Sequence, residues 1–199
     1  MSLFDTAEGV EQYARMCEGY DGRALVERLV ALAPARDGAE RCELLELGMG
    51  LGKDLDLLAE HVRVTGSDSS QAFLTRYRTH HPDTPHELLE LDAATLAGLD
   101  PARRFDLIFS NKVLQHLSQA ELAASLRRQA AHLRAGGLAF HTLWHGEGEQ
   151  EHGGMRFVYY TRETLAPLVP AELGVETCER YTELETDDSL LVVLRRSPL

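Results

Sequence analysis

Lysine, cysteine and long apolar runs are scarce in this chain, and each shortage removes a class of protein. Lysine occurs only at Lys53 and Lys112, so the positive charge is nearly all arginine, scattered rather than massed in one segment. Twenty Lys plus Arg against 32 Asp plus Glu leave a net charge of −12. An acidic chain without a basic arm opposes the phosphate neutralisation that nucleic acids require, and acidic membrane surfaces repel it. No nucleic-acid or membrane partner is expected.

The three cysteines, Cys17, Cys42 and Cys178, are odd in number and lack C-x-x-C spacing. Neither a disulfide framework nor a structural zinc site is suggested, and a reducing cytoplasmic setting fits. Asp5, Glu8, Glu11 and Arg15 stand where a signal peptide would be apolar, and nowhere do about 18 apolar residues run together. Internal repeats and low-complexity tracts are also missing.

What remains is a composition able to build a core: 199 residues, 44% hydrophobic and 26% charged, close to globular averages. That length suits one domain over 1–199, with an N-terminal helical cap over 1–40 and a core over 41–199. Leu25, Leu29 and Leu32 recur at helical spacing before Pro34 and Gly38 close the segment. Short apolar runs at Cys42–Leu47, Val62–Gly66, Leu88–Leu91, Phe105–Phe109 and Leu138–Leu143 read as five buried strands. Helical patterns at 53–61, 70–80 and 118–135 lie between them, the last opened by a capping box of Ser118 and Glu121.

Alternation of helices with strands apolar on both faces predicts an α/β fold with a parallel sheet covered on each side. After a helix near 162–169, Val175–Tyr181 and Leu190–Leu194 are joined only by an acidic turn at Glu185, Asp187 and Asp188, so they must pair antiparallel. The expectation is a three-layer Rossmann-like fold: a seven-stranded, mostly parallel sheet with a C-terminal antiparallel hairpin strand.

Polar and glycine residues gather where these strands end. Glu46-Leu47-Gly48-Met49-Gly50-Leu51-Gly52 turns the first strand into a helix, with glycines that let backbone approach a ligand. Asp68 follows the second strand, 20 positions after Gly48, near the spacing at which a carboxylate accepts hydrogen bonds from both ribose hydroxyls. Asp68, Ser69 and Ser70 also favour a helix start. The third strand ends in Leu91-Asp92-Ala93 and the fourth in Ser110-Asn111, at the edge where α/β sheets bind ligands.

This order of features resembles the class I S-adenosylmethionine-dependent methyltransferases over about residues 42–195. Their first motif, an acid followed by alternating glycines, is matched by Glu46, Gly48, Gly50 and Gly52. The resemblance implies S-adenosylmethionine as cofactor. Its methionine part would lie on the backbone of Gly48, Met49 and Gly50, its ribose on Asp68 with Ser69, and its adenine by Asp92 and Ala93; Tyr20, Asn111 and Lys112 complete the set. Two departures stand out. Ala135 replaces the proline usual before the pair Gly136-Gly137, and Ser110 to Val113 lacks the proline-rich mark of relatives that methylate exocyclic amines of bases.

Transfer from a sulfonium needs mainly alignment, but a hydroxyl or protonated amine acceptor also needs a base, and histidine suits that task. The candidates are His116, one turn after Asn111 and expected to face the cofactor cleft, and His145, in the Gly-rich charged segment from Trp144 to Gly154 that would cover the acceptor. His141, His145 and His152 lack an H-E-x-x-H pattern, so no metal is expected. Ahead of the first strand, Tyr13 and Tyr20 suit a lid over the cofactor edge.

The expected function is methyl transfer to a small-molecule acceptor. An NAD(P)-dependent oxidoreductase is the alternative, weakened because G-x-G-x-G replaces the dinucleotide spacing G-x-G-x-x-G. A non-catalytic S-adenosylmethionine-binding module is a third reading, since a fold does not fix a function.

Overall fold

A computed structural model describes residue 4, residues 6–34 and residues 40–198. Asp5 and Gly38 therefore lie outside the described residues. Nine strands are present among the described ones: β1 (Glu43–Leu47), β2 (Arg63–Asp68), β3 (Glu87–Glu90), β4 (Phe105–Asn111), β5 (Leu133–Trp144), β6 (Glu149–His152), β7 (Met155–Val158), β8 (Leu173–Tyr181) and β9 (Ser189–Arg196). Seven form one sheet in the order β3-β2-β1-β4-β5-β9-β8. The first five run parallel, and β9 inserts antiparallel to both β5 and β8. This is the expected α/β architecture.

Period-two alternation sends successive strand residues to opposite layers. Leu44, Leu107, Phe109, Leu138 and Phe140 pack with α2 (Arg23–Leu32), α3 (Lys53–Ala59) and α4 (Gln71–His80). Leu45, Leu47, Ile108 and Ala139 face the other way, onto Leu122, Leu126 and Ala130 of α5 (Gln119–His132) and Leu165 of α6 (Arg162–Leu165). The N-terminal helix α1 (Ala7–Met16) packs on α4.

Two expectations on secondary structure need correction. The helix from Ser118 carries its full capping box but stops at His132, because Leu133 pairs with Phe105 at the start of β5. Leu107 next pairs with Leu138, so the Arg134 to Gly137 turn becomes a bulge, with Gly136 in the left-handed region at φ +75°. The segment after Trp144 is not an open loop: β6 and β7 form a hairpin, with Gly153 and Gly154 at its tip in left-handed conformations.

β1 lies between β2 and β4, so the chain reverses its direction of winding there. In open α/β sheets such a reversal opens a crevice at the carboxyl ends of the strands.

Candidate active site

The turn after β1 is fastened to the end of β2. Met49 N–H donates to the Ser67 carbonyl at 2.8 Å, Ser67 Oγ donates to the Glu46 carbonyl at 2.7 Å, and Gly50 N–H donates to Asp68 Oδ2 at 2.9 Å. The glycines here serve the protein's own packing as well as any ligand. At φ +68° and +79°, Gly48 and Gly52 have no room for a side chain: a Cβ would come within 2.5 Å of Val113 and 2.3 Å of the Tyr77 ring. Gly50 has open space at that position.

Three acids crowd the crevice. Asp68 is buried, and its other oxygen accepts the Ser70 N–H at 2.8 Å. Burial raises its pKa, and the N–H donors of Ser70, Gly50 and Ser69 oppose that rise. Asp54, in the first turn of α3, accepts from Tyr20 Oη at 3.2 Å and from Asn111 Nδ2 at 2.9 Å; burial raises its pKa while those two bonds lower it. Asn111 is in turn fixed by Thr142, whose hydroxyl donates to Asn111 Oδ1 at 2.5 Å. Glu46 is enclosed completely, and burial, then the charges of Asp54, Asp68 and Asp56, hold its carboxyl well above the usual range. Glu46 Oε2 and Gln115 Oε1 are buried without a hydrogen-bond partner.

Two adjoining cavities occupy the crevice. The first, about 440 Å³, is lined by Tyr20, Glu46, Met49, Asp54, Gln115 and Trp144 among others. The second, about 400 Å³, is lined by Asp68, Ser69, Asp92, Ala93 and Val113. Gly48, Gly50, Asn111, Lys112 and His116 line both. So do Phe4 and Tyr13, whose rings meet edge to face at 5.2 Å and both lean on Phe73. Of the two tyrosines expected as a lid, Tyr13 stands here beside Phe4, while Tyr20 lines the first cavity alone; an Arg76–Glu11 ion pair at 2.7 Å ties α1 to α4.

His116 sits in a single 3₁₀ turn, Leu114–His116, after β4. Its Nδ1 is 2.8 Å from the Arg156 carbonyl of β7, and its ring meets Phe157 edge to face at 4.7 Å. A carbonyl only accepts, so Nδ1 carries the proton and Nε2 is the free lone pair. Burial lowers the pKa of this imidazole, the Arg156 carbonyl opposing.

Other expected residues fall elsewhere. His145 lines neither cavity: its N–H donates to the Asp188 carbonyl at 2.7 Å and it bridges to Tyr160, beyond the end of β5. Gly52 also lines neither, facing Tyr77 instead. Lys112 lines both, yet its ammonium is spent on the C-terminal hairpin, donating to Ser189 Oγ at 2.6 Å, Glu183 Oε2 at 3.1 Å and the Leu143 carbonyl at 3.1 Å. It also lies 3.5 Å from the Trp144 ring centroid. Sequence reasoning missed Phe4, Gln115, Phe157 and Glu183. Only Gln115 had a local signal, one residue from His116; the others arrive from distant segments.

This donor and acceptor set lines one continuous polar and apolar crevice at the strand ends. The unpartnered Glu46 and Gln115 oxygens are free to accept from a ligand, and the Asp68 carboxylate lines the adjoining cavity. Comparison with known proteins agrees. Residues 45–139 match the profile of a methyltransferase domain family. Trans-aconitate 2-methyltransferase of Delftia acidovorans is 32% identical over 130 residues, 64% of this chain and 45% of that protein. An S-adenosylmethionine-dependent methyltransferase from Clostridium acetobutylicum superposes with TM-score 0.73 at 12% identity, covering 94% of this chain and 98% of that one. The N-methyltransferase NodS of Bradyrhizobium japonicum, in complex with S-adenosylhomocysteine, gives 0.68 at 18% identity, covering 96% and 98%. Over residues 45–139 the chain thus matches a methyltransferase domain, and its fold is that of the solved S-adenosylmethionine-dependent methyltransferases. It spans less than half the length of the curated relatives it matches.

Proposed function

We propose that the protein transfers the methyl group of S-adenosylmethionine to a small-molecule acceptor. One observation carries this reading: two buried, unpartnered acceptor oxygens, Glu46 Oε2 and Gln115 Oε1, belong to residues lining a cavity that adjoins the Asp68 carboxylate. Buried polar atoms without partners are uncommon, and a ligand with several N–H donors satisfies both.

When bound, S-adenosylmethionine would supply an electrophilic methyl carbon on a sulfonium leaving group. Glu46 and Gln115 would hold its ammonium, Asp68 its ribose hydroxyls, and Asp92 with Ala93 would border its adenine. Asn111, locked by Thr142, keeps Asp54 and Tyr20 in one network beside the methionine end. His116, with Nε2 free, would take up the acceptor's proton. Cavities of this size suit small ligands, and a lid of Phe4 and Tyr13 excludes water.

Calorimetric titration with S-adenosylhomocysteine tests the reading. The unsubstituted protein should bind it, and Asp68→Ala should weaken binding by about 1.5 to 3 kcal/mol, roughly 10- to 100-fold, through loss of charged hydrogen bonds. Equal affinities would remove Asp68 from the site.

A further inference from the structure

The walls of the first cavity describe the acceptor's chemistry, given the methyltransferase reading on which this inference rests. The chain has four methionines, and the three after Met1 all line this cavity: Met16, Met49 and Met155. Its single tryptophan, Trp144, lines it too, with Phe4, Tyr13, Tyr20 and Phe157. Thioethers and rings gathered this way make a deformable apolar surface.

Besides Glu46, three charged groups in the same wall are already matched. Lys112 is held by Glu183, Ser189 and the Leu143 carbonyl, Lys53 Nζ donates to the Cys17 carbonyl at 2.5 Å, and Asp54 is held by Tyr20 and Asn111. None of these three is left to recruit a charged acceptor. The mouth is apolar as well. Among the described residues four large apolar side chains are exposed, and two of them, Met16 (70%) and Leu184 (79%), line this cavity. Leu184 is no frayed tip: Asp188 Oδ2 accepts its N–H and that of Glu185, both at 2.9 Å.

We infer that the acceptor is an uncharged aromatic ring compound of the phenol class, its ring held among the methionine and aromatic side chains and its hydroxyl directed to His116. The β6–β7 hairpin serves this twice, since Met155 and Phe157 form wall while the Arg156 carbonyl sets the His116 tautomer.

The sole tryptophan makes the test direct. Protein saturated with S-adenosylhomocysteine is titrated with 4-bromophenol, and separately with citrate and myo-inositol, by calorimetry and by Trp144 emission. The expected result is binding of 4-bromophenol with quenching of Trp144 and no binding of the two polar probes. Met16→Glu and Leu184→Glu, both at exposed positions, should each weaken 4-bromophenol about tenfold by removing apolar contact, leaving S-adenosylhomocysteine affinity within about twofold. Absence of 4-bromophenol binding, binding unaffected by both substitutions, or binding of citrate in its place would overturn the inference. Failure of S-adenosylhomocysteine to bind at all, visible before any acceptor is added, would instead bring down the methyltransferase reading itself.

Discussion

Burial of single titratable groups gives the site its sharpest tests. Glu46 keeps its proton well above the ordinary carboxylate value of 4.5 because it is enclosed beside other acids. As pH rises past 4.5 the unfolded chain loses this proton while the native state retains it, so stability falls with pH until the native carboxyl ionises. Glu46→Gln should therefore be the more stable protein at about pH 8, with the difference vanishing below about pH 4.5; denaturant midpoints that coincide throughout would refute the assignment. For His116, whose pKa lies below the usual 6.5, activity should be full at neutral pH and decline only as pH drops under that value. His116→Ala should lower kcat by about 100-fold, the contribution of a general base, with S-adenosylhomocysteine affinity little changed. An unaltered kcat would leave alignment as the only source of rate.

Between elements, a buried chain of hydrogen bonds joins β4 and β5 through α5 to the segment after β3. Ser110 Oγ lies 2.8 Å from His141 Nδ1, and His141 Nε2 lies 2.9 Å from Gln129 Oε1. Gln129 Nε2 donates to Ser125 Oγ at 3.0 Å, which donates to the Ala93 carbonyl at 2.6 Å. The directions agree along its whole length, so each bond polarises the next, and His141 must stay neutral to keep it. Burial drives the His141 pKa down to about 3. Below its ordinary 6.5 the unfolded chain takes up a proton that the folded one refuses, and stability is lost toward pH 3 at about 1.4 kcal/mol per pH unit. Denaturant titrations at several pH values should show His141→Gln losing less stability on acidification than the unsubstituted protein. Parallel pH slopes would contradict this. At this scale the sequence was legible where periodicity or caps set the element, as with Ser118 and Glu121. It was misleading where pairing overrode local pattern, since β5 claims Leu133 to Gly137 from the helix and turn expected there.

For the whole molecule, the sheet reversal at β1 and the covering of both faces leave one crevice at the strand ends. No described helix is long and apolar enough to cross a membrane, and no group of three or more ligating side chains suited to a metal occurs among the described residues. A ligand that binds only the folded state at about 100 times its dissociation constant adds about 2.7 kcal/mol. For a chain of this size that should raise the thermal midpoint by roughly 5 to 10 °C with S-adenosylhomocysteine. NAD at equal excess should leave it unmoved. A shift with NAD alone would reverse the reading in favour of an oxidoreductase.

Local sequence determined the strand and helix succession, the glycine turn after β1, and the acids that end β2 and follow β3. Each of these depends on neighbours a few residues apart: side-chain period, capping and backbone freedom. Tertiary structure decided the rest. It spent the Lys112 ammonium on a hairpin some 70 residues further on, set His145 outside the cavities, and brought Phe4, Trp144, Phe157 and Leu184 to one wall. Such meetings follow from strand order and from which face each loop crosses, and no short-range pattern encodes them.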